Sequence, residues 1–118
     1  MSGRVLVSGG AEFIGSHIAE AYLRGGWDVT VLDDLYRGHE KNVPKGAHFV
    51  KADIRSQEAK RVVAEGQFDV LNHHAAQIDV RVSVDEPAFD AAINIVGLVN
   101  LLEGAGEGGV KRVVFASS

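Results

Sequence analysis

Short apolar runs alternate along this chain with stretches of helical spacing. Arg4-Val5-Leu6-Val7-Ser8 has the length and continuity of a strand buried on both faces. Phe13, Ile14, Ile18, Tyr22 and Leu23 follow at helical spacing, and Gly25-Gly26 stop that helix. Trp27 to Leu32 predicts a second strand and Ala47 to Ala52 a third. Residues 33–46 between them are polar and irregular, with turns at Pro44 and Gly46. Ser56 is placed to cap a helix through Glu65 that Gly66 ends. Asp69 to Asn72 reads as a fourth strand. Pro87 suits a first helical turn, and Phe89, Ile93, Val96, Val99 and Leu102 form one apolar stripe. That predicts a long helix to about Ala105, ended by Gly108-Gly109, before a fifth strand from Arg112 to Ala116. Ile78 to Val84 reads two ways: as an alternating strand through Val80, Val82 and Val84, or as the loop entering the long helix.

Strands separated by crossovers of this length are expected to be parallel. The pattern therefore predicts an α/β fold, a five-stranded doubly wound sheet with helices on both faces. At 118 residues it is one domain, spanning 1–118, with no repeat, linker or low-complexity tract. Cysteine is absent, which excludes disulfides and thiolate metal sites. The net charge of −4 argues against nucleic acid as a partner. The longest apolar run is four residues, Val113 to Ala116, too short for a membrane span or a signal peptide. A soluble, cytoplasmic domain is the expectation. Glycine is the odd count, 14 of 118 residues against a usual ~7%, while proline is only two. Glycines in such number have backbone work inside a fold.

The most informative of them follow strand one, in Ser8-Gly9-Gly10-Ala11-Glu12-Phe13-Ile14-Gly15. Gly9 permits a tight turn, and Gly15 lets the next helix pack on the strand. Backbone N–H groups at a helix start receive a pyrophosphate well. Asp33 ends strand two, 18 residues beyond Gly15, where an acid can accept bonds from an adenosine ribose. A glycine turn alone is weak evidence; set strand-to-helix with an acid closing the next strand, it predicts a Rossmann-like sheet of order 3-2-1-4-5.

These residues resemble a known family. SGGAEFIGSHI resembles the TGGxGFIGSH signature of the extended short-chain dehydrogenase/reductases, the NAD-dependent epimerase/dehydratase group, and especially its UDP-glucose 4-epimerase-like members. VLDDLYRG, KADIR, NHHAAQ, NIVGLVNLLEGA and VVFASS resemble its further motifs, in order and over essentially the whole chain. The resemblance implies that Gly9, Phe13, Ile14 and Gly15 line the NAD pyrophosphate and that Asp33 holds the adenosine ribose. It implies that Asp53 and Ile54 flank the adenine, that Ala75 and Ala76 pass under the cofactor, and that Asn94 sits behind strand four. Ser118 matches the family's serine or threonine that assists catalysis. A carboxylate at Asp33 favours NAD over NADP, because it repels a 2′-phosphate.

Two departures bear on function. Glu12 stands where the pattern has a glycine that lets backbone approach the pyrophosphate. A carboxylate ~5 Å from a phosphate charge, at an effective dielectric of ~20, costs on the order of 3 kcal/mol. That is roughly a hundredfold in affinity. The second departure is the family's Tyr-x-x-x-Lys pair, which the resemblance places beyond Ser118. Tyr22 is followed four positions on by Gly26, and Tyr36 by Glu40. Proton transfer needs a positioned acid/base, so the expectation is an NAD-binding domain without epimerase turnover of its own. A nucleotide-sugar substrate is implied only for the full-length family. The alternative is a cofactor-free scaffold that keeps the fold and self-associates.

Other constellations are weaker. His73-His74 would point to opposite faces of a strand, so no metal site is expected. Asp33, Asp34 and Asp53 invite comparison with a phospho-receiver, but that needs its acidic pair where the glycine turn stands. Strand five, as the last element, would leave an apolar edge, from which homodimer pairing is expected.

Overall fold

In the computed structural model, the described residues are 3–36, 38–74 and 87–115, with the backbone alone described for 87–94. Among the described residues, five strands and three helices follow in the order β1 (Arg4–Ser8), α1 (Phe13–Arg24), β2 (Asp28–Asp33), β3 (His48–Lys51), α2 (Gln57–Glu65), β4 (Val70–His73), α3 (Pro87–Gly108) and β5 (Arg112–Phe115). A short 3-10 turn, Glu40–Asn42, lies between β2 and β3. The sheet order is β3-β2-β1-β4-β5 and every pairing is parallel. The expected topology is found. Ile78–Val84, which read two ways, lies outside the described residues, as does Ala116 of the expected fifth strand.

Alternation along buried strands divides the core in two. Val5, Val7, Val29, Val31 and Val70 face α1, packing with Ala19 and against Tyr22 and Leu23. Leu6, Leu32 and Leu71 face the other way, onto Ala59 and Val63 of α2 and Leu101 and Ala105 of α3. Both faces of β1, β2 and β4 are covered, which is why these strands read as apolar runs. Capping sets α2 as the sequence predicts: Ser56 Oγ accepts the Ala59 N–H at 3.0 Å, and the Gly66 N–H closes on the Val62 carbonyl at 3.0 Å.

The long helix differs from its expected form. It runs to Gly108 and stops at Gly109, whose φ of +70° is left-handed. The described part of its predicted apolar stripe faces outward: Val96 is 51%, Val99 49% and Leu102 40% exposed, beside Ile95 at 63%. The inward face carries small residues instead. A Cβ on Gly108 would lie 2.7 Å from the Ala64 carbonyl oxygen, and one on Gly104 2.8 Å from that of Lys60. Glycine thus brings the two helix backbones together, and this close packing outweighs the larger apolar side chains in choosing the buried face.

Candidate functional site

The site is built where β1 gives way to α1. Gly9 takes φ +77°, open to glycine at no steric cost, and its N–H donates to the Leu32 carbonyl at 2.8 Å. Gly15 lies directly on that turn, and a Cβ there would collide with the Gly9 carbonyl oxygen. The first rung of the helix ladder is the Ser16 N–H to the Glu12 carbonyl, 2.8 Å. The amides of Phe13, Ile14 and Gly15 precede it and are first-turn donors at the positive helix end. The Phe13 and Ile14 side chains are exposed there, with Phe13 edge-on to His17.

Asp33 closes β2 beside this turn, almost fully buried. Its two carboxylate oxygens accept the Ala11 N–H at 3.0 Å and the Leu35 N–H at 2.7 Å. Burial pushes its carboxyl above the usual range, while those two amides pull the other way. The Ala11 carbonyl is held as well, by the His39 N–H at 3.0 Å and Asn42 Nδ2 at 3.2 Å. Asp33 therefore shapes the glycine turn, a role that its position in the sequence did not reveal.

Glu12 is the N-cap residue of α1, with φ −81° and ψ 167°. That is extended backbone which any residue adopts, so the acid is accommodated without strain in the chain itself.

Asp53 stands after β3, held by Arg55 through Nη2 at 2.6 Å, Nε at 3.0 Å and the backbone N–H at 2.8 Å. The guanidinium holds the Asp53 carboxyl below its ordinary range. Ile54 beside it turns its side chain into the core, so only its backbone is left toward the strand ends. Asn100, to which the sequence reading gave no role, reaches from α3 to donate to the carbonyls of Ile54 at 2.7 Å and Ser56 at 2.8 Å. The only signal was its amide side chain, the second after Asn94 in the otherwise apolar NIVGLVNLL.

At the end of β4, Ser8 Oγ and His73 Nδ1 lie 2.5 Å apart, and the His74 N–H donates to the Ser8 carbonyl at 2.8 Å. Both rings are buried. Burial, with a smaller contribution from His74, brings His73 down to about 4, and burial lowers His74 also. They are neutral imidazoles at pH 7. Among the described residues no three ligating side chains gather as for a metal. Ala75, Ala76 and Ser118 lie outside the described residues, as does the side chain of Asn94.

The glycine turn and the ends of β1, β2 and β4 meet at the carboxyl edge of the sheet, where the strand order reverses between β1 and β4. Ligands of open α/β sheets bind at this switch point. Fold and turn together define a Rossmann-like domain. The NAD dependent epimerase/dehydratase family matches over residues 5–118. The UDP-glucose 4-epimerase of Mycolicibacterium smegmatis is 44% identical over 120 residues, covering 98% of this chain and 38% of that protein. The Thermus thermophilus UDP-glucose 4-epimerase, solved in complex with NAD, superposes with a TM-score of 0.91 at 47% identity, over 98% of this chain and 37% of the other. The Thermotoga maritima UDP-glucose 4-epimerase, solved with UDP-glucose, gives 0.92 at 38% identity, over 98% of this chain and 38% of the other. This chain belongs to the NAD dependent epimerase/dehydratase family. It spans somewhat over a third of the length of these relatives, 37% in the Thermus case. Among the described residues no helix is long and apolar enough to cross a membrane.

Proposed function

We propose that this chain is the NAD-holding part of a nucleotide-sugar epimerase, that Glu12 weakens its grip on the cofactor, and that it does not turn over substrate alone. The observation that carries the reading is Gly15 seated on the Gly9 carbonyl, where a Cβ has no room. That contact sets the first turn of α1 against the end of β1 and presents three amides to a pyrophosphate. Gly9, Phe13, Ile14 and Gly15 line the phosphates, Asp33 takes the adenosine ribose, and Asp53 with the Ile54 backbone takes the adenine. Ala75, Ala76, Asn94 and Ser118 keep the roles that family resemblance gives them. Asp33 has lone pairs left for a ribose hydroxyl, since each oxygen accepts one amide. Its charge disfavours a 2′-phosphate.

Glu12 adds a carboxylate at the helix start without disturbing the backbone. A repulsion of about 3 kcal/mol per charge pair corresponds to roughly a hundredfold in affinity. The edge of β5, with Val114 and Phe115 exposed, offers a second copy a strand to pair with, so a homodimer belongs to the same reading.

Calorimetric titration of NAD into the parent chain and into Glu12→Gly tests the cofactor reading. Binding that tightens by one to two orders of magnitude in the variant is expected. Equal affinities overturn the role given to Glu12. Absence of binding in both favours the cofactor-free scaffold. Interconversion of UDP-glucose and UDP-galactose by the pure chain with NAD overturns the statement about turnover.

A further inference from the structure

A groove of about 660 Å³ runs between α2 and the β2–β3 side of the sheet, and opens at the amino edge beside Arg4 and His48. Register sets Thr30 beside His48 and Leu32 beside Val50, so these residues share the face on which α2 packs. Val50 and Val62 form an apolar floor, each only partly buried. Among the described residues β3 pairs with β2 alone. The Ala52 N–H donates to the Asp33 carbonyl at 3.2 Å. In a parallel ladder that turns the N–H and C=O of Phe49 and Lys51 outward, away from β2. The Phe49 side chain lies on the opposite face of the sheet, partly buried against the α1 side of the core. The rim of the groove is charged. Glu58, Arg61 and Glu65 line it in that order along one side of α2. Arg4 is already committed: it bonds Asp28 at 2.8 Å and the Gly66 carbonyl at 2.9 Å, over the Phe68 ring. His48 lies 3.4 Å from Asp28. Among the described residues Glu58, Arg61 and Glu65 make no ion pair.

We infer that this groove and the outer edge of β3 form a strand-addition site for an extended peptide whose alternate side chains run basic, acidic, basic. The main chain of such a peptide bonds to Phe49 and Lys51, the mode by which exposed sheet edges recognise peptides. Its alternate residues face the groove about 6.7 Å apart. Glu58 to Arg61 and Arg61 to Glu65 advance about 4.5 and 6 Å along α2. Long lysine and glutamate stems absorb that difference while lying on Val50 and Val62. The acidic–basic–acidic row reads the same from both ends, so it selects the charge order of the peptide and not its direction. The intervening residues fall on the other face beside Phe49, where an apolar β-branched side chain suits them. The site goes beyond the cofactor function proposed above and does not depend on it.

The test is fluorescence anisotropy at low salt with labelled, end-blocked peptides flanked by threonines. The probes are Lys-Val-Glu-Val-Lys, its charge reversal Glu-Val-Lys-Val-Glu, and Lys-Val-Lys-Val-Lys. Exposed ion pairs are individually weak, but with the whole row matched the parent chain is expected to bind the first about tenfold more tightly than the second. It should also prefer the first to the third by about threefold, which attraction of a cation to the chain's net charge of −4 does not produce. Arg61→Glu makes the row wholly acidic, and Arg61 is exposed, so the fold is expected to tolerate it. In that variant Lys-Val-Lys-Val-Lys should overtake Lys-Val-Glu-Val-Lys by about tenfold. Lys51→Pro removes an outward N–H without touching the ladder to β2, and should weaken every peptide by about tenfold. Failure of all three peptides to bind at about 1 mM overturns the inference. So does an order of preference that Arg61→Glu leaves unchanged, or an affinity unmoved in folded Lys51→Pro. NAD titration of the same samples reports on the cofactor reading separately.

Discussion

Acidification from pH 7 to pH 5 is expected to remove about 2 kcal/mol of stability through His73 alone. Its ring is 2% exposed at the end of β4, against Ser8 Oγ at 2.5 Å, and burial brings it from the ordinary 6.5 to about 4. The folded value lies below the unfolded one, so between them the unfolded chain binds the extra proton. The contribution is whole above about 6.5 and is lost as pH falls toward about 4. Integrating between those two values gives about 2 kcal/mol by pH 5, a large share of the ~5–15 kcal/mol that holds a domain of this kind together. His74 shifts in the same direction and adds to the fall. Asp33 works the other way: its folded carboxyl is raised, so it takes its proton before the unfolded chain does and gains stability as pH drops. Asp53 is lowered, and its contribution is lost only below the ordinary carboxylate range. The assay is urea unfolding at pH 7 and pH 5 for the parent and for His73→Gln. The variant should be weaker at pH 7, having lost its fit to Ser8, and should fall by much less on acidification. An equal fall in both proteins refutes the assignment to His73.

Gly15→Ala should lower the urea midpoint by an amount equivalent to about 1–3 kcal/mol, because its Cβ meets the Gly9 carbonyl oxygen and one of them must move. NAD affinity should fall with it, and an unchanged midpoint by the same denaturation would show that the turn has slack. Under the proposed pairing of two copies through β5, the outermost of the described strands, Val114→Lys should lower the mass seen by light scattering at tens of micromolar, since Val114 is 40% exposed. A parent chain that is already monomeric at that concentration refutes pairing through β5.

What could be read from the sequence was local. The start of α2 at Ser56 and its end at Gly66 stand as predicted, because a cap and a stop act within four residues of themselves. Sheet order followed from the alternation of apolar runs and helical stretches together with the glycine turn. The face of α3 was not legible. Its apolar stripe looked like a buried surface, but which side of a helix packs depends on how closely the neighbour can approach, and Gly104 and Gly108 decide that against α2. Long-range partners were equally hidden. Asn100 bonds residues 46 and 44 positions away, and Asp33 bonds Ala11 across 22. No spacing rule in a single sequence reaches so far.

The glycine turn separates what the fold needs from what a ligand needs. Gly15 and Asp33 serve the folded chain already, one by giving way to the Gly9 carbonyl and the other by accepting the Ala11 and Leu35 amides. Any change there disturbs the turn before a ligand arrives. Position 12 is different. Its extended backbone places no conformational demand on the residue, so a glycine there answers chiefly to whatever approaches the helix start. An acid at that position strains nothing in the backbone. Stability and nucleotide binding should therefore move together in substitutions at 15 and 33, because the same contacts that hold the turn also set the position of its amides.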